Sequence, residues 1–217
     1  LVLIRRGEAP SEAEFEALLT ARHTPGVHER VRAARVGVAG LGGLGSHVAV
    51  ALARTGVGEL VLADFDVVEP SNLNRQCYFV SQIGLPKTEA LSATLRAVNP
   101  FVRLEIHTLR LTPENIPRVF AGCAVVVEAF DAAAEKAMLV ETVLARLPSA
   151  FVVAASGVAG YGSTDALAVH PVAPRLFVVG DLSTEARPGE GLMAPRVGAA
   201  AHAQANAVLR LLLGESV

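Results

Sequence analysis

A glycine-rich turn near residue 40 constrains the fold of this chain more than any other feature. The run Gly40-Leu41-Gly42-Gly43-Leu44-Gly45-Ser46 joins a strand-like segment, residues 36–39, to a helix-like segment, residues 44–54. Glycines at such a junction let the backbone turn sharply and let phosphate oxygens approach the N–H groups at a helix N-terminus. The pattern therefore predicts a strand–turn–helix unit that binds a nucleotide. The glycines expected to contact it are Gly40, Gly42, Gly43 and Gly45.

Apolar strand-like runs alternate with helix-like stretches between residues 35 and 155. Such alternation predicts a Rossmann-like α/β fold, in which a mainly parallel sheet is covered by helices on both faces. The expected strands span residues 36–39, 59–63, 102–107, 124–127 and 151–155. The expected helices between them span residues 44–54, 86–98 and 132–146.

The length of 217 residues is within the range of one large domain. We expect a single domain over residues 1–217, with an N-terminal helical segment (1–34), a nucleotide-binding core (35–155) and a C-terminal part (156–217). In the C-terminal part the alternation of strands and helices ends, and we expect a short antiparallel extension of the sheet, then a loop and a closing helix. The expected elements there are strands at 166–170 and 176–179, a Gly/Pro-rich loop at 181–195 and a helix at 197–213.

The N-terminal segment contains one clear helix signal. Ser11 followed by Glu14 forms the pattern of a capping box and predicts a helix over residues 11–22. Residues 23–35 are expected to be irregular or partly helical.

Composition excludes several classes of protein. Hydrophobic residues make up 52% of the chain, yet no apolar run approaches the ~20 residues of a membrane-spanning helix, and the N-terminus lacks the pattern of a signal peptide. The net charge of −2, without a basic stripe, predicts no nucleic-acid partner. The two cysteines, Cys77 and Cys123, form no CxxC pair, so neither a zinc site nor a disulfide framework is expected. We expect a cytoplasmic protein.

An acidic residue at the end of the second predicted strand strengthens the nucleotide interpretation. Asp64 follows the glycine turn at close to the ~20-residue spacing of an acid that binds ribose hydroxyls. The turn is not a P-loop, because no Lys-Ser/Thr pair follows its glycines. A site for NAD(P), and a turn that serves only close packing of helix on strand, also fit this pattern.

A polar loop after Asp64 supplies the positive charge that the turn lacks. It contains Asn72, Arg75 and Gln76, and Lys87 follows. Arginine offers a rigid fork of donors to phosphate oxygens, and lysine a compact point charge. Only two lysines occur, Lys87 and Lys136, in a chain whose other basic residues are mostly arginine. Because an ordinary surface position in this chain is usually filled by arginine, each lysine is a stronger candidate for a specific role.

Asp131 follows the fourth predicted strand, at the edge of the sheet where ligands bind in α/β folds. A carboxylate there can hold Mg²⁺, which takes one or two protein carboxylates together with phosphate oxygens. Each of these residues also has a plain structural interpretation. Arg75 fits a solvated loop cation, Lys87 a surface residue at a helix start, and Asp131 an N-cap for the following helix.

Taken together, these motifs resemble the ThiF/MoeB/HesA family, which includes the adenylation domains of ubiquitin-activating enzymes. The resemblance is close from residue 35 to residue 146 and looser elsewhere. The segments that carry it are the glycine turn, Asp64-Phe65-Asp66, Ser71-Asn72-Leu73-Asn74-Arg75-Gln76, Gly84 to Lys87, Asn99-Pro100 and Asp131.

The resemblance implies an ATP-dependent adenylyltransferase. Its expected substrate is the C-terminal glycine carboxylate of a ThiS-like, ubiquitin-fold sulfur carrier protein of thiamine thiazole biosynthesis. The carboxylate attacks the α-phosphate of ATP and pyrophosphate leaves. The implied cofactors are ATP and Mg²⁺, with Asp64 and Asp66 on the nucleotide and Asp131 on the metal. The residues implied to contact the phosphates are Asn72, Arg75, Gln76 and Lys87.

The resemblance also implies a homodimer in which an N-terminal arginine reaches the partner's active site. Arg22 is the candidate, and a plain surface arginine is the alternative. Many relatives have CxxC zinc pairs and a reactive cysteine in the crossover loop, whereas this chain has no cysteine between residues 156 and 195. Cys77 is then the remaining candidate for a covalent step, with a structural free thiol as the alternative. The loop at 181–195 suits a lid over the carrier's tail or an ordinary connector.

Other functions remain open on the sequence alone. Within the family they are a MoeB-like activator for molybdopterin synthesis and a tRNA threonylcarbamoyladenosine dehydratase, and the absence of a basic stripe counts against the latter. Outside it they are an NAD(P)-binding Rossmann protein and a non-catalytic module that binds the carrier.

Overall fold

The computed structural model describes residues 7–187 and 190–217. The first six residues of the predicted N-terminal segment, and residues 188 and 189 of the predicted loop, lie outside the described residues. The strands are β1 (Arg35–Ala39), β2 (Glu59–Asp64), β3 (Arg103–Thr108), β4 (Val125–Glu128), β5 (Phe151–Ala155), β6 (Ala168–Ala173) and β7 (Leu176–Gly180). The helices are α1 (Glu12–His23), α2 (Pro25–Ala33), α3 (Gly43–Thr55), α4 (Lys87–Val98), α5 (Ile116–Val119), α6 (Ala133–Arg146) and α7 (Ala194–Leu212).

All seven strands belong to one sheet, in the order β3-β2-β1-β4-β5-β7-β6. Neighbouring strands are parallel except for β6 and β7, which are antiparallel. The predicted Rossmann-like α/β fold, with a mainly parallel sheet and a short antiparallel extension at its C-terminal end, is confirmed.

Each face of the sheet packs against its own set of helices. In β2, Leu60 and Leu62 join a core with α3, α4 and α7, while Val61 and Ala63 join a second core with α5 and α6. This alternation follows from the two-residue period of a strand. Because both faces are covered, the four residues between its charged ends, Leu60 to Ala63, are all apolar and buried, as expected for a parallel sheet.

The N-terminal segment is more regular than expected. The capping box of α1 is present, with the Glu14 amide donating to Ser11 Oγ at 3.3 Å and the Ser11 amide donating to the Glu14 carboxylate at 2.9 Å. Within the stretch expected to be irregular or partly helical, α2 occupies nine residues. Pro25 opens this helix, at a position where its missing N–H costs nothing, and Val31 anchors it in the core.

None of the helices in the described part of the chain has both the length and the apolar character needed to cross a membrane.

Candidate nucleotide-binding site

A cleft of about 880 Å³ opens at the carboxyl ends of the central strands. It lies where β1 is flanked by β2 on one side and β4 on the other, which is the position at which open α/β sheets bind ligands. All the predicted site residues line this cleft except Gly45. Those that do are Gly40, Gly42, Gly43, Asp64, Asp66, Asn72, Arg75, Gln76, Lys87 and Asp131.

The glycine turn needs glycine for two different reasons. Gly40 has a φ of +86°, and a side-chain Cβ there would lie 2.8 Å from the Ala129 carbonyl oxygen. At Gly45 a Cβ would lie 1.9 Å from the Gly40 carbonyl oxygen. Gly45 therefore lets α3 pack closely on the turn, and its predicted role in contacting a nucleotide gains no support from its position. Since α3 begins at Gly43, the N–H groups of its first turn lie at the cleft without helical partners.

Asp64 connects the glycine turn to the polar loop. Its buried carboxylate accepts hydrogen bonds from the Leu41 amide at 2.6 Å and from the Asp66 amide at 2.7 Å. Burial raises the pKa of Asp64, while the two backbone donors act in the opposite direction. Each carboxylate oxygen has a second lone pair, so both can still accept from ribose hydroxyls.

Lys87 lies almost entirely buried at the cleft, with 6% of its surface exposed. Its ammonium group donates to Asp66 Oδ2 at 2.8 Å, and its backbone amide donates to the Asp66 carbonyl at 2.9 Å. Among the described residues the ammonium group has no other hydrogen-bond partner, so two of its three protons are available to a ligand. Asp66, predicted to contact the nucleotide, thus has a direct contact with Lys87 and fixes where the lysine's charge lies.

The polar loop supplies three further predicted residues. The Asn72 side-chain oxygen accepts from the Glu69 amide at 3.0 Å, which closes a tight turn, and Arg75 Nη1 donates to Asn74 Oδ1 at 2.8 Å. Two polar atoms of the loop, Arg75 Nε and Gln76 Oε1, are buried without a hydrogen-bond partner among the described residues. Buried polar groups are rarely left unpaired, so we expect a bound ligand or a water molecule to provide the missing partners.

Asp131 lies exposed at the cleft and does not cap the helix after it. The N-cap of α6 is Ala132, with no side-chain hydrogen bond, so the N-cap interpretation of Asp131 was wrong. Within residues 7–187 and 190–217 there is no cluster of three His, Cys, Asp or Glu side chains that could hold a metal ion. A single cleft carboxylate still fits Mg²⁺, because this ion is usually held by one or two carboxylates and by the phosphates of its substrate.

Sequence reasoning missed an ion pair beside the cleft, between Lys136, which lines the cleft, and Glu128, which is buried behind it. The Glu128 carboxylate, fully buried, receives the Lys136 ammonium group at 3.0 and 3.1 Å and the Phe130 amide at 2.7 Å. Lys136 also donates to the Ala155 carbonyl at 3.1 Å. Burial raises the pKa of Glu128, and the neighbouring ammonium group opposes this. The pair fixes the backbone just before Asp131, and the scarcity of lysine was the signal that pointed to it.

Three more unforeseen residues lie at the cleft. The Arg110 guanidinium lies 4.9 Å from the centre of the Phe65 ring, within the range of a cation–π contact, and forms an ion pair with Glu135. All three residues line the cleft. They connect the loops after β2 and β3 with α6.

Neither cysteine lines the cleft. Cys77 Sγ lies 3.2 Å from His47 Nδ1 on the side of the loop toward α3, and burial raises the pKa of the thiol. Cys123 is buried, which raises its pKa to about 12. A raised pKa lowers the fraction of thiolate, the nucleophilic form, so the geometry favours a structural thiol at Cys77.

Two other expectations concern the cleft's surroundings. Thr184, Glu185 and Ala186, from the predicted loop at 181–195, line the cleft, so this part of the loop forms a wall of it. Arg22 lies exposed in the last turn of α1, and its reach into a partner's site stays a prediction.

Known proteins share this sequence and this fold. The SAMP-activating enzyme E1 of Haloferax volcanii is 46% identical over 103 residues, which are 47% of this chain and 38% of that protein. The ubiquitin-like modifier-activating enzyme 5 of Caenorhabditis briggsae is 45% identical over 95 residues, 44% of this chain and 22% of that protein. The matched region is thus well under half the length of these curated relatives.

Among solved structures, the tRNA N6-threonylcarbamoyladenosine dehydratase TcdA of E. coli in complex with AMP matches with a TM-score of 0.83 at 22% identity. The match covers 96% of this chain and 98% of TcdA. The complex of TcdA with ATP gives a TM-score of 0.82. At this identity the likeness shows a common fold.

A profile described as the ThiF family matches residues 17–217, which is nearly the whole chain. This chain belongs to the ThiF family.

Proposed function

We propose that this chain is an ATP-dependent adenylyltransferase that activates the C-terminal glycine carboxylate of a ThiS-like, ubiquitin-fold carrier protein. The observation that carries the proposal is the convergence of Arg75, Lys87 and Asp131 on the one cleft that the glycine turn opens. Two cations and an exposed carboxylate suit a triphosphate with its metal ion. A dinucleotide site, with two phosphates, needs less positive charge.

The chain's own residues account for the positions of the substrates. Asp64 holds the ribose, and the N–H groups at the start of α3 face the phosphates. Arg75 and Lys87 offset the negative charge that accumulates on pyrophosphate as it leaves. When bound, Mg²⁺ would add to that neutralisation, and Asp131 is the residue that would hold it.

A general base is not required for this reaction. The attacking carboxylate is already ionised at neutral pH and needs only to be held in line with the α-phosphate. The product is an acyl adenylate. The absence of a cysteine from the cleft lining agrees with a reaction that ends at this intermediate in this chain.

The names of the sequence relatives support a protein substrate. Their names describe one as an activating enzyme for ubiquitin-like modifiers and the other as an activating enzyme for SAMP. We therefore propose a ubiquitin-fold carrier and, more narrowly, a role in thiamine thiazole biosynthesis. The MoeB-like and tRNA-modifying activities are the alternatives within the family, and TcdA itself has the fold of this chain.

Exchange of labelled pyrophosphate into ATP tests the proposal directly. Purified chain is incubated with ATP, Mg²⁺ and one of three candidates: a ThiS-like carrier, a carrier of the molybdopterin synthase type, or a tRNA that bears threonylcarbamoyladenosine. We expect exchange only with the ThiS-like carrier, and none with a carrier that lacks its final glycine. Exchange with the molybdopterin-type carrier or with the tRNA would instead identify that molecule as the substrate. Binding of NAD(P) without binding of ATP would refute the proposed adenylyltransferase activity.

A further inference from the structure

The lining of the cleft divides along the sheet into two parts. The residues assigned to ATP follow β1 and β2, whereas a second wall, residues 156–159 and 184–186, follows β5 and β7. In the sheet β4 lies between these two pairs of strands, and Asp131 follows β4. The second wall contains neither lysine nor arginine. It therefore offers no cation to a phosphate and suits the other substrate of the reaction.

One buried ion pair holds this second wall. Asp181 Oδ2 accepts from Arg196 Nη2 at 2.6 Å, with 11% and 3% of the two side chains exposed. The other carboxylate oxygen, Oδ1, accepts from the Ser183 and Thr184 amides, both at 2.8 Å. The Asp181 carboxylate thus fixes the backbone that leads directly into Thr184–Ala186.

Arg196 connects that backbone to the rest of the wall. Its Nη1 donates to the carbonyls of Gly162 and Ser163, both at 2.8 Å, so the arginine also restrains the chain that continues from residues 156–159. The Asp181 amide in turn donates to the Gly157 carbonyl at 3.1 Å. A Cβ at Gly157 would lie 2.1 Å from Asp181 Oδ1, so the two segments are in close contact.

We propose that Asp181 and Arg196 are positioning residues for the acyl substrate: they set the shape of the wall along which the carrier's C-terminal tail lies. This inference rests on the proposed function. Thr184–Ala186 and residues 156–159 present mostly small side chains, which suits a narrow, glycine-terminated tail. A displacement of the reacting groups by about 1 Å can reduce a reaction rate about 100-fold. A wall that contains neither helix nor strand therefore needs a restraint such as the Asp181–Arg196 ion pair.

Two variants separate a positioning role from a general role in the fold. Arg196→Lys keeps the positive charge but loses the fork that joins Asp181 to two carbonyls. Asp181→Asn keeps an acceptor for the amides but loses the charge. Arg187→Ala is the matched control, because Arg187 forms an exposed ion pair with Glu190 in the same loop.

The first measurement is hydrogen exchange, which needs no carrier. In Arg196→Lys we expect the amides of residues 157–160 and 182–184 to exchange about tenfold faster, while the amides of α3 exchange at the wild-type rate. Arg187→Ala should leave both regions unchanged. If the amides of α3 exchanged faster by the same factor, or if Arg196→Lys and Asp181→Asn both lost cooperative melting, the pair would maintain the whole fold. Either result would overturn the proposal.

The second measurement is the initial rate of pyrophosphate release against the concentration of the ThiS-like carrier and of ATP. We expect Arg196→Lys and Asp181→Asn to raise the KM for the carrier about tenfold or more, with the KM for ATP within about twofold of wild type. Equal changes in both KM values, or none, would overturn the positioning role. If the wild-type chain shows no carrier-dependent release, the proposed function fails, while the hydrogen-exchange result still decides whether the pair holds the wall.

Discussion

Lys87 and Lys136, the only lysines of the sequence, both form ion pairs at the cleft. They do different things. Lys136 gives three hydrogen bonds to Glu128 and Ala155, so its ammonium protons are all used within the fold. In the part of the chain that the structure describes, the Lys87 ammonium group donates one hydrogen bond, to Asp66, which leaves two protons for a ligand. The sequence showed that both lysines were unusual, and only their contacts separate the lysine proposed to bind a ligand, Lys87, from the structural one, Lys136.

Lys87→Ala should lower carrier-dependent pyrophosphate exchange by about 100-fold or more, because it removes a charge that faces the leaving group. Asp66→Asn should lower it less, because the lysine stays but is no longer fixed by an ion pair. Arg103→Ala is the control, since its side chain is 64% exposed at the start of β3. Initial exchange rates and thermal melting of each variant provide the measurement. Wild-type exchange rates in Lys87→Ala would show that Lys87 does not stabilise the leaving pyrophosphate.

Asp131→Asn should leave the melting temperature unchanged, because Asp131 is exposed and does not cap α6. It should raise the concentration of Mg²⁺ needed for half-maximal exchange about tenfold or more, since a neutral amide is a weaker ligand for a hard cation. A titration of Mn²⁺ binding by electron paramagnetic resonance, in the presence of ATP, gives a readout besides activity. An unchanged requirement for Mg²⁺ would show that Asp131 does not hold the metal.

At the scale of elements, the junction of β1 with α3 includes a very close contact between two backbone segments. Gly45 belongs to α3 and packs directly on the Gly40 carbonyl, so the start of the helix is set by backbone against backbone. A fixed helix start is what directs its N–H groups into the cleft. Among the described residues outside its own helix turn, no atom lies within 4 Å of where a Cβ on Gly198 of α7 would be, so this glycine offers a matched comparison.

Gly45→Ala should destabilise the chain and prevent ATP binding, because a Cβ would overlap a backbone oxygen that cannot move aside. Gly198→Ala should instead raise the free energy of unfolding by about 0.5–1 kcal/mol, since alanine has the higher helix propensity. Thermal or urea unfolding, with ATP titration by calorimetry, measures both effects. If Gly45→Ala binds ATP as the wild type does, the turn is not what positions the nucleotide.

At the scale of the whole molecule, the described chain builds one cleft from residues that lie far apart in sequence, from the glycine turn to the loop before α7. The predicted homodimer would add a residue from outside the chain, Arg22. Mixing two inactive variants tests whether the site is shared between subunits.

If Arg22 completes the partner's site, Arg22→Ala and Lys87→Ala should each be inactive alone. A mixture of equal amounts, refolded together, should recover roughly a quarter of wild-type exchange, because half of the dimers are mixed and each has one intact site. Light scattering checks that dimers form. Wild-type activity in Arg22→Ala alone, or a monomeric mass, would contradict the shared site.

Local patterns in the sequence were sufficient for the fold. The glycine turn, the capping box at Ser11 and the apolar runs of the strands are each decided by neighbours within a few residues, so most strands and helices of the core were predicted to within a few positions. The short helix α5 was not predicted. The regular α2 was underestimated, because its stability comes from burying Val31 in a core that the local pattern does not reveal.

Sequence alone determined the parallel sheet and the residue types at its ligand-binding edge, because strand alternation and polar residues after strands are properties of short segments. Tertiary structure alone decided that Lys87 is held by Asp66, that Lys136 is held by Glu128, and that Asp181 meets Arg196 beside the second wall. Ion pairs of this kind join segments separated along the chain, and which charge finds which partner is settled only when the sheet brings their ends together.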